Sequence, residues 1–344
     1  MPVVLRTVLG DVAAESIGHL QPHEHVLSDL SLPLPADTPD EARERDTAPI
    51  TPDNYYAVRR DHTSEDLRLT SHSDAIAELT EYREAGGGAV VDATSVGLHR
   101  DPEGLVEVSQ GAGVHIIMGS GYYYRDYHDQ AFLDDRTQDD LTTDIVTDLT
   151  RGAGGTSIRA GVIGEIGLSW QHHPVELRVL RAAAVAQQDT GMGLLIHPAR
   201  HRQSPLAAID VVRTAGGDVG RTIMSHVERT LFEPDEFRAL ADAGCYVEFD
   251  LFGQESSYYS LAPIDMPNDA TRVDHILDLI ERGHLEQILI SQDICHKTKL
   301  HRYGGEGYTH ILRHVLPLMR RKGLSEEQIH TITIENPRRA LAIG

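Results

Sequence analysis

The chain has 344 residues, 40% of them hydrophobic, and a formal net charge of −22. That charge disfavours polyanionic partners, so neither nucleic acid nor an anionic membrane surface is expected, and a small-molecule substrate is. No run approaches the ~20 apolar residues of a membrane span, the N-terminal MPVVLRTVLGDVAAES lacks a signal-peptide pattern, and the two cysteines, Cys245 and Cys295, make no disulfide framework, which together lead us to expect a cytoplasmic protein.

No sequence motif repeats, but short β-rich apolar runs alternate with longer segments of helical periodicity. Eight runs are predicted as strands: 16–26, 88–96, 114–121, 160–169, 193–197, 221–226, 245–251 and 287–291. Helices are predicted over 74–85, 174–189, 235–243, 270–282, 308–322 and 325–333. Pro174 falls in the first turn of its segment, where a missing N–H costs nothing. Gly283 follows 270–282 as a natural helix stop. Eight strands alternating with helices leave a closed (β/α)8 barrel or an open doubly wound sheet. No GxGxxG pattern opens the first βα unit, so the expected fold is α/β, one (β/α)8 TIM barrel domain over 1–344. Segments 33–68 and 253–268 are long, polar and proline-containing, and read as functional loops, the first as a lid or a solvated insertion.

The first predicted strand ends in His23-Glu24-His25. Residues i and i+2 of a strand share a face, so the two imidazoles project together, as two ligands of one metal ion would. The fourth strand reads AGVIGEIGLSW, with Glu165 inside an apolar run. A buried carboxylate needs a cation, and no arginine occupies neighbouring strand positions. His197 ends LLIHPAR, His226 lies in TIMSHVER and Asp293 lies in ILISQDICHK. Singly, each suits an ordinary strand-end polar group. Together, six metal-competent side chains fall at the C-terminal ends of strands, where barrel active sites form.

Four histidines and two carboxylates suffice for two divalent metal ions with one bridging carboxylate; such ligands suit zinc, manganese, cobalt or iron(II) without choosing among them, and zinc is the ion expected. The reaction expected is hydrolysis, a metal-bridging hydroxide attacking a carbonyl while Asp293 accepts the proton and delivers it to the leaving group. Tyr122, Tyr123, Tyr124, Trp170, Arg200, His296 and Lys297 follow strands and are candidate substrate contacts, Arg200 or Lys297 suiting a carboxylate or sulfonate. His172 and His173 read as solvent-facing. Asp92 and Asp250 suit hydrogen bonds to ligand imidazoles, or salt bridges. A thiol route through Cys295 and His296 is the rival mechanism; sequence neighbours at a strand end tend to point apart, and no third orienting group is evident. Outside enzymes, the alternative is a non-catalytic metal-binding protein.

The ordered motifs HEH, GEIG, IHP, SHVER and SQD, within a span from TVLGDV to IENPRRALA, resemble the phosphotriesterase family of the amidohydrolase superfamily. The stretches GEIGLSW, CYVEFDLFG, PIDMPNDATR and HKTKLHRYGGEGYTHIL make the chain most similar to its phosphotriesterase-related group. The resemblance implies His23, His25 and Asp293 on the more buried metal and His197 and His226 on the more exposed one. Glu165 stands where founding members bridge the metals with a carbamylated lysine. Lactonase members often carry Asp-Arg after the seventh strand; here the pair is Asp250-Leu251. The resemblance therefore implies an amide hydrolase acting on small N-acylated amines such as N-acetyltaurine or N-acyl amino acids. A lactone, carboxylic ester or phosphotriester hydrolase with the same site is the alternative, and a homodimer is implied by the habits of relatives.

Overall fold

A computed structural model describes residues 3–256 and 258–344. The eight predicted runs all form strands: β1 (His19–Glu24), β2 (Gly87–Asp92), β3 (His115–Ser120), β4 (Val162–Gly167), β5 (Leu194–His197), β6 (Thr222–Met224), β7 (Tyr246–Phe249) and β8 (Ile288–Ile290). They lie side by side in chain order, every adjacent pair parallel. Just past β8 the ring closes onto β1. The Asp293 N–H donates to His23 O at 3.2 Å and the His25 N–H to Ile294 O at 3.1 Å. The fold is the expected (β/α)8 barrel.

Alternation along each strand builds two cores. Val90, Ile116, Ile163, Leu194, Ile196 and Val247 pack outward in one cluster with the helices. Their neighbours Ala89, Val91, Ile117, Val162, Leu195 and Leu289 fill the interior with Leu20 and Ile223. Leu5 from the N-terminal hairpin (Val4–Thr7 with Gly10–Ala13) and Leu341 from the last helix (Asn336–Leu341) join this interior cluster. The lower half of the barrel is thus a packed hydrocarbon plug, and polar chemistry is left to the other end.

The helices around the ring are α1 (His72–Glu84), α2 (Pro102–Ala112), α3 (Gln138–Thr150), α4 (Pro174–Thr190), α5 (Ser204–Thr214), α6 (Pro234–Asp242) and α7 (Asp269–Glu281). Those predicted over 74–85, 174–189, 235–243 and 270–282 are present within two residues at each end. The sequence reading missed α2, α3 and α5, although α2 has an Asp101 cap, Pro102 in its first turn and Gly113 left-handed at its end, and α3 has a Thr137–Asp140 capping box. Segment 308–322 becomes helical only from Ile311, and 325–333 runs on through Glu335.

The 33–68 segment is more structured than a plain loop, holding two short helices, Asp40–Asp46 and Tyr55–Asp61. It is pinned to the chain after β8: Tyr55 OH donates to Thr298 O at 2.9 Å and Asp66 accepts from Thr298 N at 2.8 Å. Among the described residues, 253–268 holds no helix or strand, and no helix is long and apolar enough to cross a membrane.

Candidate metal centre and substrate cavity

At the C-terminal rim, β1 slips register against β2 between Gln21 and Glu24. A bulge re-aims side chains, and here it turns His23 and His25 to the same interior that Leu20 faces. Glu165 comes from β4, preceded by Gly164 at φ +115°. A Cβ at Gly164 would lie 2.2 Å from Leu195 O, so glycine lets β4 run this close to β5. His197 ends β5. His226 and Asp293 follow β6 and β8 with left-handed backbone, φ +52° and +48°, an uncommon state for residues with side chains. Hydrogen bonds hold both there: the His226 N–H reaches Asp250 Oδ2 at 2.9 Å, and the Asp293 N–H reaches β1.

These six residues gather in space. Glu165 Oε2 lies 2.9 Å from His197 Nδ1, 3.4 Å from His226 Nε2 and 3.4 Å from His23 Nε2, while Oε1 lies 3.5 Å from His25 Nε2. Asp293 Oδ1 lies 3.5 Å from His25 Nε2 and 3.9 Å from His23 Nε2. Donor atoms of His23, His25 and Glu165, and of Glu165, His197 and His226, each fall within 4.8 Å of one another. Burial opposes the charge on Glu165, but His197, His226 and His23 hold its carboxyl well below the usual range. Burial likewise opposes Asp293, and His25, His226 and Lys299 hold it low. His25 is depressed by burial yet raised on balance to about 9 by Asp293 and Glu165. Burial keeps His197 well below its ordinary value.

Three of the four rings are tied from behind. His226 Nδ1 lies 2.8 Å from Asp250 Oδ1, His25 Nδ1 lies 2.9 Å from Thr94 Oγ1, and His23 Nδ1 lies 3.2 Å from both Ser225 Oγ and Glu248 Oε2. Asp250 thus partners a cluster imidazole directly. Asp92 acts one hydroxyl away, accepting from Thr94 Oγ1 at 3.0 Å.

Above the cluster opens a cavity of about 320 Å³. Of the expected substrate contacts, Tyr123, Tyr124, Arg200 and His296 line it. Trp170 does not; its ring stacks on His201 at 4.0 Å between centroids. Lys297 also turns away, its ammonium 2.5 Å from Glu65. Tyr122 points outward to Asp144, 2.6 Å away. His172 and His173 are half-buried rather than solvent-facing: one lies 2.8 Å from Ser204 Oγ, the other caps α4 by accepting the Val175 N–H. Cys295 and His296 point together, Sγ 3.4 Å from Nδ1, against the sequence expectation. Burial and then Asp293 hold the thiol well above its ordinary value, and burial holds His296 well below its own, so the pair does not favour a thiolate.

Sequence reasoning overlooked Arg229, Tyr127 and Tyr259 on the cavity wall and Lys299, whose Nζ donates to Asp293 O at 2.6 Å. Arg229 was in view within SHVER, three residues after His226, where a single turn carries it back over the site.

The Phosphotriesterase family profile matches residues 3–341. An N-acetyltaurine hydrolase from Salmo salar is 38% identical over 345 residues, covering 98% of this chain and 97% of that one. A phosphotriesterase-related protein from Nematostella vectensis is 38% identical over 97% of each. The crystal structure of a resiniferatoxin-binding protein from Rhodobacter sphaeroides superposes with a TM-score of 0.92 at 33% identity, covering 98% of this chain and 94% of that one. With its barrel, its buried histidine–carboxylate cluster and this whole-length similarity, the chain belongs to the phosphotriesterase family of metal-dependent hydrolases.

Proposed function

We propose that the chain hydrolyses the amide bond of a small N-acylated amine or amino acid with two divalent metal ions held by His23, His25, Glu165, His197, His226 and Asp293. The observation that carries this reading is Glu165, a buried anion within 3.5 Å of nitrogens from four imidazoles. The residues fit a pair of dications. His23 Nε2 is buried without a hydrogen-bond partner, and the Nδ1 contacts of His23, His25 and His226 leave each Nε2 directed at the carboxylates. Nitrogen and oxygen donors suit zinc first, with manganese, cobalt or iron(II) also accommodated. His23, His25 and Asp293 would hold one ion and His197 and His226 the other, with Glu165 between them.

When bound, such ions polarise a carbonyl and lower the pKa of water from ~15.7 toward ~7. The protein's own groups do the rest. Asp293, held as a carboxylate, takes the proton of the water that attacks the carbonyl carbon and returns it to the departing nitrogen. Tyr123, whose hydroxyl lies 3.2 Å from His197 Nδ1, walls the cavity beside the cluster. Relatives carrying the name N-acetyltaurine hydrolase support an N-acyl bond as the target. Cytoplasmic residence goes with this reading, supported by two buried, unpaired cysteines.

The test is a panel of N-acyl amines, lactones and aryl phosphotriesters with zinc- and manganese-loaded protein, beside metal analysis. Amide turnover with two metals per chain is expected. Turnover confined to lactones or phosphotriesters refutes the amidase; bound metal without turnover of any class refutes the enzyme.

A further inference from the structure

The amidase reading leaves open which amides enter, and the cavity wall bears on that. Arg200, after β5, and Arg229, after β6, line the same cavity. Arg200 donates Nε–H to the Tyr259 hydroxyl at 3.0 Å. Arg229 reaches His197 Nε2 at 3.0 Å and Pro198 O at 3.2 Å through Nη2. Arg229 is only 3% exposed, and its Nη1 is buried with no hydrogen-bond partner. Among the described residues, no carboxylate lies within the 4.0 Å of an ion pair from either guanidinium.

In this Arg229 differs from Arg272, the other buried arginine among the described residues, and half-buried Arg200 differs from half-buried Arg100. Arg272 lies 3.2 Å from Glu228 and 2.8 Å from Asp269, and Arg100 lies 2.8 Å from Asp148. A guanidinium keeps its charge, and burying one without an anion is strongly disfavoured. In a chain with net charge −22, two unpaired cations facing one cavity are a conspicuous exception. Leu30, Leu32, Leu34, Leu67, Leu251 and Leu261 supply an apolar part of the same wall.

Resting on the amidase reading, we propose that Arg200 and Arg229 are specificity-determining residues that bind a carboxylate or sulfonate on the amine half of the substrate. A leucine-rich wall suits an uncharged acyl group, and on that ground the anion is assigned to the amine half. Planar donor forks suit either oxyanion. Neutral lactones and phosphotriesters would leave both guanidiniums unpaired and be poor substrates, even where the cluster can attack them.

The test uses metal-loaded full chain and matched N-acyl amines ending either in a carboxylate or sulfonate or in a neutral amide of the same length. Wild type should prefer the anion by about 100-fold in kcat/KM, mainly through KM, the discrimination that charge-assisted hydrogen bonds give. Arg200→Met should cut that preference below about tenfold by raising KM for the anionic member; Arg229→Met, which also removes a contact to His197, should lower the anionic-to-neutral ratio likewise whatever it does to both rates, and Arg229→Lys should recover part of that ratio. Independently of turnover, millimolar 2-aminoethanesulfonate should raise the melting temperature of wild type and not of the Met variants, whose folding is checked by circular dichroism. Equal wild-type use of charged and neutral members overturns the proposal, as does an equal loss on both in the variants with the thermal shift unchanged. If no amide is cleaved yet the shift occurs and is lost in the variants, the anion site stands and the amidase reading falls. Amide cleavage with neither preference nor shift refutes the anion site alone.

Discussion

Glu24 sits in sequence between two cluster imidazoles and takes no part in the cluster. Its carboxylate instead accepts from Ser291 Oγ at 2.7 Å, Gln292 N at 2.9 Å and Ile294 N at 2.8 Å, locking the β1–β8 seam. Asp293, at that seam, is the group placed to move a proton. Asp293→Asn removes the base but keeps an oxygen donor, so kcat should fall by about 10²–10⁴-fold while metal content stays near wild type. Steady-state rates beside elemental analysis read this; an active variant contradicts the role. His19, at the start of β1, is a different case. Burial lowers its pKa to about 4 from the ordinary 6.5, and its Nδ1 lies 2.8 Å from Tyr82 OH. A depressed folded pKa means the stability is complete above pH 6.5 and is lost as pH falls through about 4. In metal-stripped protein, His19→Gln should therefore flatten the stability profile between those values, a difference of about 3 kcal/mol at most. Parallel wild-type and variant curves in denaturant titrations would show that His19 is not responsible.

Elements are held at the rim by buried polar clamps. Arg272 on α7 is fully buried and joins Glu228, which accepts the Leu251 N–H at 2.8 Å, to Asp269, which accepts the Gly253 N–H at 2.9 Å. α7 is thereby clamped to the turns after β6 and β7. Arg272→Ala strands the buried Glu228 carboxylate and leaves Asp269 with His310 as its one cationic partner among the described residues, 2.7 Å away, and should cost about 3–5 kcal/mol. Removing the exposed Arg320 partner of Glu326 should change the unfolding midpoint far less. Chemical denaturation ranks the two, and equal effects would count against the clamp. The 33–68 segment is held through Asp66, which takes Thr298 N on one oxygen and lies 3.2 Å from Thr298 Oγ1 on the other. Because Leu34, Ser64 and Leu67 of this segment line the cavity, Asp66→Ala should raise KM several-fold with little change in kcat and expose 33–68 to limited proteolysis. An unchanged KM with an unchanged digestion pattern would show that the clamp does not govern the roof.

For the molecule as a whole, the barrel divides into a hydrocarbon plug at one end and a concentration of buried charge at the other. Glu165, Glu248, Asp250, Glu24 and Asp92 are all 1% exposed or less. Burial pushes the pKa of Glu24 and Glu248 up to about 7 and that of Asp92 to about 6, so the rim is an unfavourable place for these anions. Dications at the cluster would relieve it, and a ligand that binds only the folded state stabilises that state. Chelation should lower the melting temperature by about 5 °C or more and abolish turnover, with both restored by zinc or manganese. Coincident loss and recovery in scanning calorimetry and rate assays checks this; a melting temperature indifferent to chelator would argue against the metals.

Alternating apolar runs and intervening helical periods were enough to read eight strands and the barrel, because a period of two and a period of 3.6 are local properties of the chain. The same local reading assembled His23, His25, Glu165, His197, His226 and Asp293, since parallel strands of a barrel bring their C-terminal ends to one rim. What those residues touch was decided elsewhere. The β1 bulge that sets which of residues 23–25 face inward depends on pairing with β2, and Asp250 finds His226 only because β6 and β7 are neighbours. Trp170 and Lys297 were drawn off by His201 and Glu65, while Arg229 was folded back over the cavity by its turn. Side-chain direction beyond a strand end is set by loops, and loops take their course from contacts distant in sequence, so the chain alone specified the rim and its chemistry while tertiary packing chose the wall of the cavity.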